Sequence, residues 1–200
     1  MIAVVDYGAG NLFSVSNALT YLSIPHEITS DPAAIEAADG ILLPGVGAFP
    51  DAMRMLREKN LVSVLQTQAE QKPFLGICLG MQLLFETGYE FEETAGLGLI
   101  PGSVQRITDC GLKNPHMGWN ALRFENPCPL LEQVPEQAYV YFVHSYRADC
   151  DTRYIAAYAE YGEKIPALVC KGHIFGAQFH PEKSADHGLM MLKNFAALCR

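Results

Sequence analysis

Short apolar runs alternate with helical patterns through the first half of the chain. IAVVD at 2–6 reads as a buried strand, NLFSVSNALTYL at 11–22 as an amphipathic helix and HEIT at 26–29 as a second strand. Pro32 to Ala38 reads as a helix behind an Asp31 cap, and GILLPG at 40–45 as a third strand. The order is βαβαβ. Strands buried on both faces appear as continuous apolar runs, and helical crossovers between them impose parallel pairing with right-handed connections. A helix-like stretch from Phe49 to Gln71, a strand PFLGI at 73–77 and a helix LGMQLLFET at 79–87, closed by Gly88 in the C′ position, continue the rhythm.

From about Gly102 the pattern changes. GSVQRI, GWNALRFE, AYVYFVHSY, YIAAYAEYG, PALVCKG and IFGAQF read as strands separated by turns. HGLMMLKNFAALC closes the chain as an amphipathic helix, with Leu189, Leu192, Phe195, Ala196 and Cys199 at helical spacing and His187 at its start. The expected fold is α/β, a three-layer sandwich with a mostly parallel central sheet and extra strands in the C-terminal half, the two halves forming one sheet system. At 200 residues it fits one domain spanning 1–200, because single cores stop growing only beyond roughly 250 residues.

Composition narrows the function. Half the residues are apolar and 18% are charged, which excludes a disordered chain. Fourteen Lys plus Arg against twenty-two Asp plus Glu leave a formal charge of -8, so no broad basic surface exists to bind phosphate backbones or anionic lipid. The N-terminus lacks a basic n-region, and the longest apolar candidate, AYVYFV at 138–143, is strand-sized. Six cysteines without CxxC spacing indicate reduced thiols in a cytoplasmic protein and give a structural zinc site little support.

The densest chemical signal is FLGICLGMQLLF, where Cys78 lies between a strand and a helix with Gly76 and Gly80 two residues to either side. G-x-C-x-G fits a nucleophile elbow, whose glycines let strand and helix backbones approach without Cβ clashes. The following helix is expected to aim its N-terminal N–H groups at the sulfur and favour the thiolate. A cysteine nucleophile needs a histidine to move its proton, and the histidine needs a carboxylate to fix its tautomer. QFHPE supplies both: His180 follows an apolar strand, Pro181 keeps it extended, and Glu182 stands two residues on. His26, His116, His144, His173 and His187 read instead as surface or core hydrogen-bonding residues. In LLPGVGAFP the turn Pro44-Gly45-Val46-Gly47 ends strand three, where a backbone N–H and that of Leu79 form an expected oxyanion hole. DYGAGNLF fails as a dinucleotide loop because Phe13 stands where a third glycine is required.

PGVGAF, GICLGMQLLF and FHPEKS, in that order and at these separations, resemble the triad-type, class I glutamine amidotransferases across nearly the whole chain. DYGAGN, PHMGWN and FVHSY resemble a branch of that family whose free-standing glutaminase subunit partners a (β/α)8-barrel synthase subunit. The resemblance implies Cys78 as nucleophile, His180 as acid/base and Glu182 as orienting carboxylate, with Gly45, Val46 and Leu79 at the oxyanion. It implies that Gln82, Ser145 and Tyr146 hold L-glutamine, that Asn11, Trp119, Asn120 and Lys183 face the partner, and that neither cofactor nor metal is needed. The PHMGWN segment argues against amidotransferases of pyridoxal-phosphate, anthranilate or guanylate synthesis. A stand-alone cysteine hydrolase acting on γ-glutamyl or peptide bonds, and a non-catalytic binding module, remain the other readings of the same elbow.

Overall fold

The computed structural model describes residues 1–108 and 111–199. Its first half runs β1 (Ile2–Val5), α1 (Leu12–Tyr21), β2 (His26–Thr29), α2 (Pro32–Ala37), β3 (Gly40–Gly45), α3 (Phe49–Glu58), α4 (Val62–Ala69), β4 (Phe74–Cys78) and α5 (Leu79–Gln82). The second half adds β5 (Phe85–Gly88), β6 (Thr94–Ala95), β7 (Ile100–Arg106), β8 (His116–Ala121), β9 (Arg123–Phe124), β10 (Tyr139–His144) and β11 (Tyr146–Asp149). It ends with β12 (Ile155–Glu160), β13 (Lys164–Lys171), β14 (Ile174–Ala177) and α6 (Ala185–Leu198).

The central sheet has eight strands in the order β2-β1-β3-β4-β14-β13-β12-β9. Its pairings are parallel from β2 through β14 and antiparallel from β14 to β9. Alternate residues of each inner strand serve opposite cores. Val4, Leu42, Leu75 and Ile77 pack with Val15 and Leu19 of α1 and Leu192 and Phe195 of α6, whereas Val5, Ile41, Leu43 and Phe74 pack with Met53 and Leu56 of α3 and Leu65 of α4. Helices thus cover both faces, which is why these strands carry no polar alternation.

Local chemistry sets the helix ends. Asn11 caps α1 by accepting from Ser14 N–H at 3.2 Å, and Asp31 caps α2 from Ala33 N–H at 3.1 Å with Pro32 at the first helical position. The expected helix from Phe49 to Gln71 is two helices. Asn60 adopts φ +57°, and Leu61 N–H returns to Leu56 C=O at 2.9 Å, a Schellman closure that ends α3.

Three other expectations are corrected. LGMQLLFET is helical only over the single turn of α5; Phe85–Gly88 is strand β5, pairing in parallel with β7, so Gly88 is no helix cap. The second half is not all one sheet: β11-β7-β5-β6 and β10-β8 form separate sheets, and GWNALRFE and AYVYFVHSY each divide between two of them. The last helix begins at Ala185, two residues before His187.

Candidate active site

The parallel strands β1, β3, β4 and β14 all end at one edge of the central sheet, and each delivers a piece of the site. Gly45 at the end of β3 stands in register with Cys78 at the end of β4. Cys78 turns the chain into α5 with φ 55° and ψ -113°, a conformation costing a non-glycine residue about 1–3 kcal/mol. The crossing is possible only because a Cβ on Gly80 would lie 1.9 Å from Leu43 O, and one on Gly76 2.5 Å from Gly80 O. The elbow is therefore held by main chain packed on main chain. Its helix is one turn long, so a macrodipole contributes little, while the first-turn N–H of Leu79 has no acceptor within the helix.

Beyond β14 the chain bends at Gln178 and Phe179, and an extended His180 leads into a 3-10 turn at Pro181–Lys183. His180 Nδ1 and Glu182 Oε1 are 2.8 Å apart, with both side chains almost fully buried. Strand β10 clamps this turn: His180 N–H donates to Tyr141 C=O at 3.0 Å, Ser184 Oγ donates to His180 C=O at 2.6 Å, and Tyr141 N–H donates to the same Oγ at 3.0 Å. Burial pushes the His180 pKa down, but hydrogen bonding and charge from Cys78 and Glu182 outweigh it and raise the value from 6.5 to about 9. Among the described residues, the buried side-chain atoms without a hydrogen bond of regular geometry are Tyr7 Oη, His180 Nε2 and Glu182 Oε2. All three atoms belong to this edge: the Tyr7 hydroxyl lies 2.7 Å from where a Gly45 Cβ would stand. Unpaired polar atoms in a buried cluster are a mark of a reacting site.

A cavity of about 350 Å³ opens over Cys78 and is lined by Val46, Gly47, Leu79, Gln82, Glu90, Val143, His144, Ser145, Tyr146 and His180. The cavity brings together Cys78, His180, Val46, Leu79, Gln82, Ser145 and Tyr146 from the expected set. Glu182 lies behind His180. Gly45 does not line the cavity; it is buried within β3, and Gly47 takes its place at the wall. Gln82 Nε2 donates to Tyr146 C=O and to Gln178 Oε1, each at 3.0 Å, so the amide presents its oxygen to a ligand. Glu90 was not foreseen. Its Oε2 accepts from Phe49 N–H at 2.8 Å, burial raises its pKa, and it gives the wall a carboxylate suited to an ammonium group. The sequence offers no clear signal for it, because Glu86, Glu92 and Glu93 stand around it.

The four residues expected on the partner face lie outside the cavity. Asn11 caps α1, Lys183 is exposed on the 3-10 turn, and Trp119 is half exposed on β8 against Tyr141 at 6.0 Å between ring centroids. Asn120 is half-buried and donates to Glu160 C=O at 3.0 Å. No helix among the described residues is long and apolar enough to cross a membrane.

The chain is 50% identical over 196 residues to the imidazole glycerol phosphate synthase subunit HisH of Bacillus cereus, covering 98% of this chain and 93% of that one. It is 52% identical over 196 residues, with the same coverage, to the protein of that name in Bacillus thuringiensis subsp. konkukian. Among solved structures, a glutamine amidotransferase superposes with a TM-score of 0.78 at 18% identity, covering 100% of this chain and 99% of that one. PurLQS from Thermotoga maritima superposes with a TM-score of 0.75 at 18% identity, covering 100% and 98%. These two likenesses concern the fold. The family described as glutamine amidotransferase class-I matches residues 3–199, and the chain belongs to it.

Proposed function

We propose that the chain acts as one domain over residues 1–200, the cytoplasmic glutaminase subunit of an imidazole glycerol phosphate synthase of histidine biosynthesis. It hydrolyses L-glutamine to glutamate and ammonia, and passes the ammonia to a (β/α)8-barrel subunit that makes imidazole glycerol phosphate and AICAR. The observation that carries the chemistry is the elbow cysteine sharing one cavity wall with a buried, carboxylate-bound histidine. The half-identity to HisH proteins over 98% of the chain supports the partner and pathway.

Cys78 Sγ, its proton held by His180, attacks the γ-carbonyl carbon of glutamine, and the carbonyl oxygen takes the electron pair as an oxyanion. Leu79 N–H and an N–H of the Val46–Gly47 segment stabilise it. His180, protonated at neutral pH, gives its proton to the amide nitrogen; the C–N bond breaks and ammonia leaves. Water then attacks the thioester while His180 takes its proton, the C–S bond breaks, and glutamate departs. Glu182 holds the imidazole through Nδ1 so that Nε2 serves the reaction. Glu90 and the Gln82 oxygen accept from the α-ammonium group, and Ser145 and Tyr146 bind the substrate main chain.

The partner face is apolar where a soluble surface is normally polar. Met117 and Trp119 on β8 and Tyr139 on β10 are more than half exposed on one face of the β8/β10 pair, with Phe13 of α1 exposed at 76%. The test is glutamate release by the purified chain and by a Cys78→Ala variant, each with the barrel subunit. Loss of turnover in the variant with an unchanged circular dichroism spectrum is expected. Retained turnover rejects the nucleophile.

A further inference from the structure

Two histidines take no part in that chemistry. His116 of β8 and His144 of β10 stand directly opposite each other in the antiparallel pair. Both are buried, and the His116 ring is stacked between Phe142, with centroids 4.6 Å apart, and Tyr161, 4.0 Å apart.

Their hydrogen bonds run in one direction. His144 Nδ1 is 2.8 Å from Tyr146 C=O, and since a carbonyl has no proton to give, Nδ1 carries the hydrogen. Nε2 of the neutral ring is then a bare acceptor. Its partner is His116 Nδ1 at 3.0 Å, which must donate, and this leaves His116 Nε2 bare in turn. Asn120 Nδ2 stands 3.3 Å from it. The Asn120 amide is itself oriented, because Oδ1 accepts from Ala121 N–H at 2.8 Å and Nδ2 also donates to Glu160 C=O at 3.0 Å. Burial keeps both rings neutral, pushing the pKa of His116 down to about 4 and that of His144 down to about 3.

The chain of bonds ends on a main-chain group of the cavity. Tyr146 C=O accepts from His144 on one side and from Gln82 on the other. Ser145 C=O, its neighbour, accepts from Ile107 N–H at 3.0 Å. These bonds fix the kink at Ser145, where the polypeptide leaves the β8/β10 pair and enters the sheet of β7 and β11. We propose that His116 and His144 are positioning residues, which hold the Ser145–Tyr146 main chain in place for the amino-acid end of glutamine. The proposal rests on the glutaminase reading and adds to it the reason why two buried imidazoles, which packing alone does not require, occupy this pair of positions.

Such residues act on substrate binding and leave bond-making alone. The test uses a His116→Phe variant, assayed as the full chain assembled with the barrel subunit. Phenylalanine keeps the stack on Phe142 and Tyr161 and removes both nitrogens, leaving His144 Nε2 without its donor. We expect a rise in KM for glutamine of about ten-fold with kcat within about two-fold of wild type. Nitrogen-15 spectra of the wild-type rings give a second readout that does not depend on how the variant folds: both should be Nδ1–H tautomers, opposite to the Nε2–H preference of a free histidine side chain. An unchanged KM, a loss confined to kcat, or an Nε2–H tautomer on either ring overturns the proposal. Failure of the wild-type complex to hydrolyse glutamine overturns the glutaminase reading on which it stands.

Discussion

At His180 two opposing influences act on one ring, and their balance sets the chemistry available at neutral pH. Burial favours the neutral imidazole; the Cys78 and Glu182 side chains favour the cation and prevail, raising the pKa from 6.5 to about 9. The ring is thus a proton donor when glutamine arrives and becomes a base only after ammonia has left with its proton. The linkage to stability follows the same sign. With the folded pKa above the unfolded value, the stabilisation is complete below pH 6.5 and is lost as pH rises through about 9. Proton NMR of the His180 ring should show a midpoint near pH 9 in the wild-type chain, and Glu182→Gln should lower it, since burial stays and one opposing charge goes. A wild-type midpoint at or below 6.5 contradicts the assignment. Glu182→Gln should also slow hydrolysis less than loss of Cys78 or His180, the two residues that form bonds and move protons.

The elements around the elbow are placed by main-chain contact, and this makes glycine at position 80 a requirement of the crossing between β4, α5 and β3. In an exposed helix, alanine is preferred over glycine by about 1 kcal/mol. Here the added Cβ would meet the Leu43 carbonyl oxygen at 1.9 Å, and that oxygen belongs to the innermost part of the sheet. Gly80→Ala is expected to destabilise the chain by about 3 kcal/mol or more, measured as a lower urea midpoint at unchanged slope. Equal midpoints would show that the strand and helix can separate without cost. Much of this architecture was legible beforehand: apolar runs located β1, β3 and β4, and the spaced glycines and HPE located the elbow and its histidine. LGMQLLFET misled because Leu83, Leu84 and Phe85 are all fully buried, and a run without a polar stripe suits a buried strand as well as a helix. Pairing with β7, a long-range fact, decides it. The split between α3 and α4 had a local signal in Asn60, whose type tolerates the left-handed conformation it adopts. His116 and His144 were invisible as a pair because only the register of β8 against β10 places them opposite each other. Glu90 becomes recognisable only when its main-chain partner Phe49 and the cavity are both in place.

On the scale of the whole molecule, β10 connects the apolar face of the β8/β10 pair to the cavity: Tyr141 packs against Trp119 and accepts from His180 N–H, and Val143 lines the same cavity as Val46 and Gly47, so we propose that a subunit docked on that face influences the oxyanion segment. That segment has one crowded and one open glycine. Gly45 is closely surrounded, with Gly80 N and the Tyr7 hydroxyl each 2.7 Å from where its Cβ would be. Gly47 has φ +103° and nothing within 4 Å of where a Cβ would stand, and Val46 between them is 42% exposed. The chain therefore has more open space around the Val46–Gly47 peptide than around Gly45, and we propose that reorientation occurs there. We propose that one orientation directs a carbonyl at the developing oxyanion and the other an N–H, of which only the second assists catalysis. Loss of one such donor costs about a hundred- to a thousand-fold in rate, which sets the range of the switch. A partner biases the equilibrium only through a difference in its affinity for the two states, so we propose that it contacts the face carrying Asn11, Trp119 and Lys183 differently in each. Glutamine hydrolysis is expected to be slow for the isolated chain, faster with the barrel subunit, and fastest when the barrel also holds its nucleotide ligand. Lys183→Ala should reduce the activation without altering the rate of the isolated chain, and Gly47→Ala should reduce it through strain at positive φ. Equal steady-state rates in all three conditions reject the switch, and full activation of Gly47→Ala moves the hinge away from this peptide.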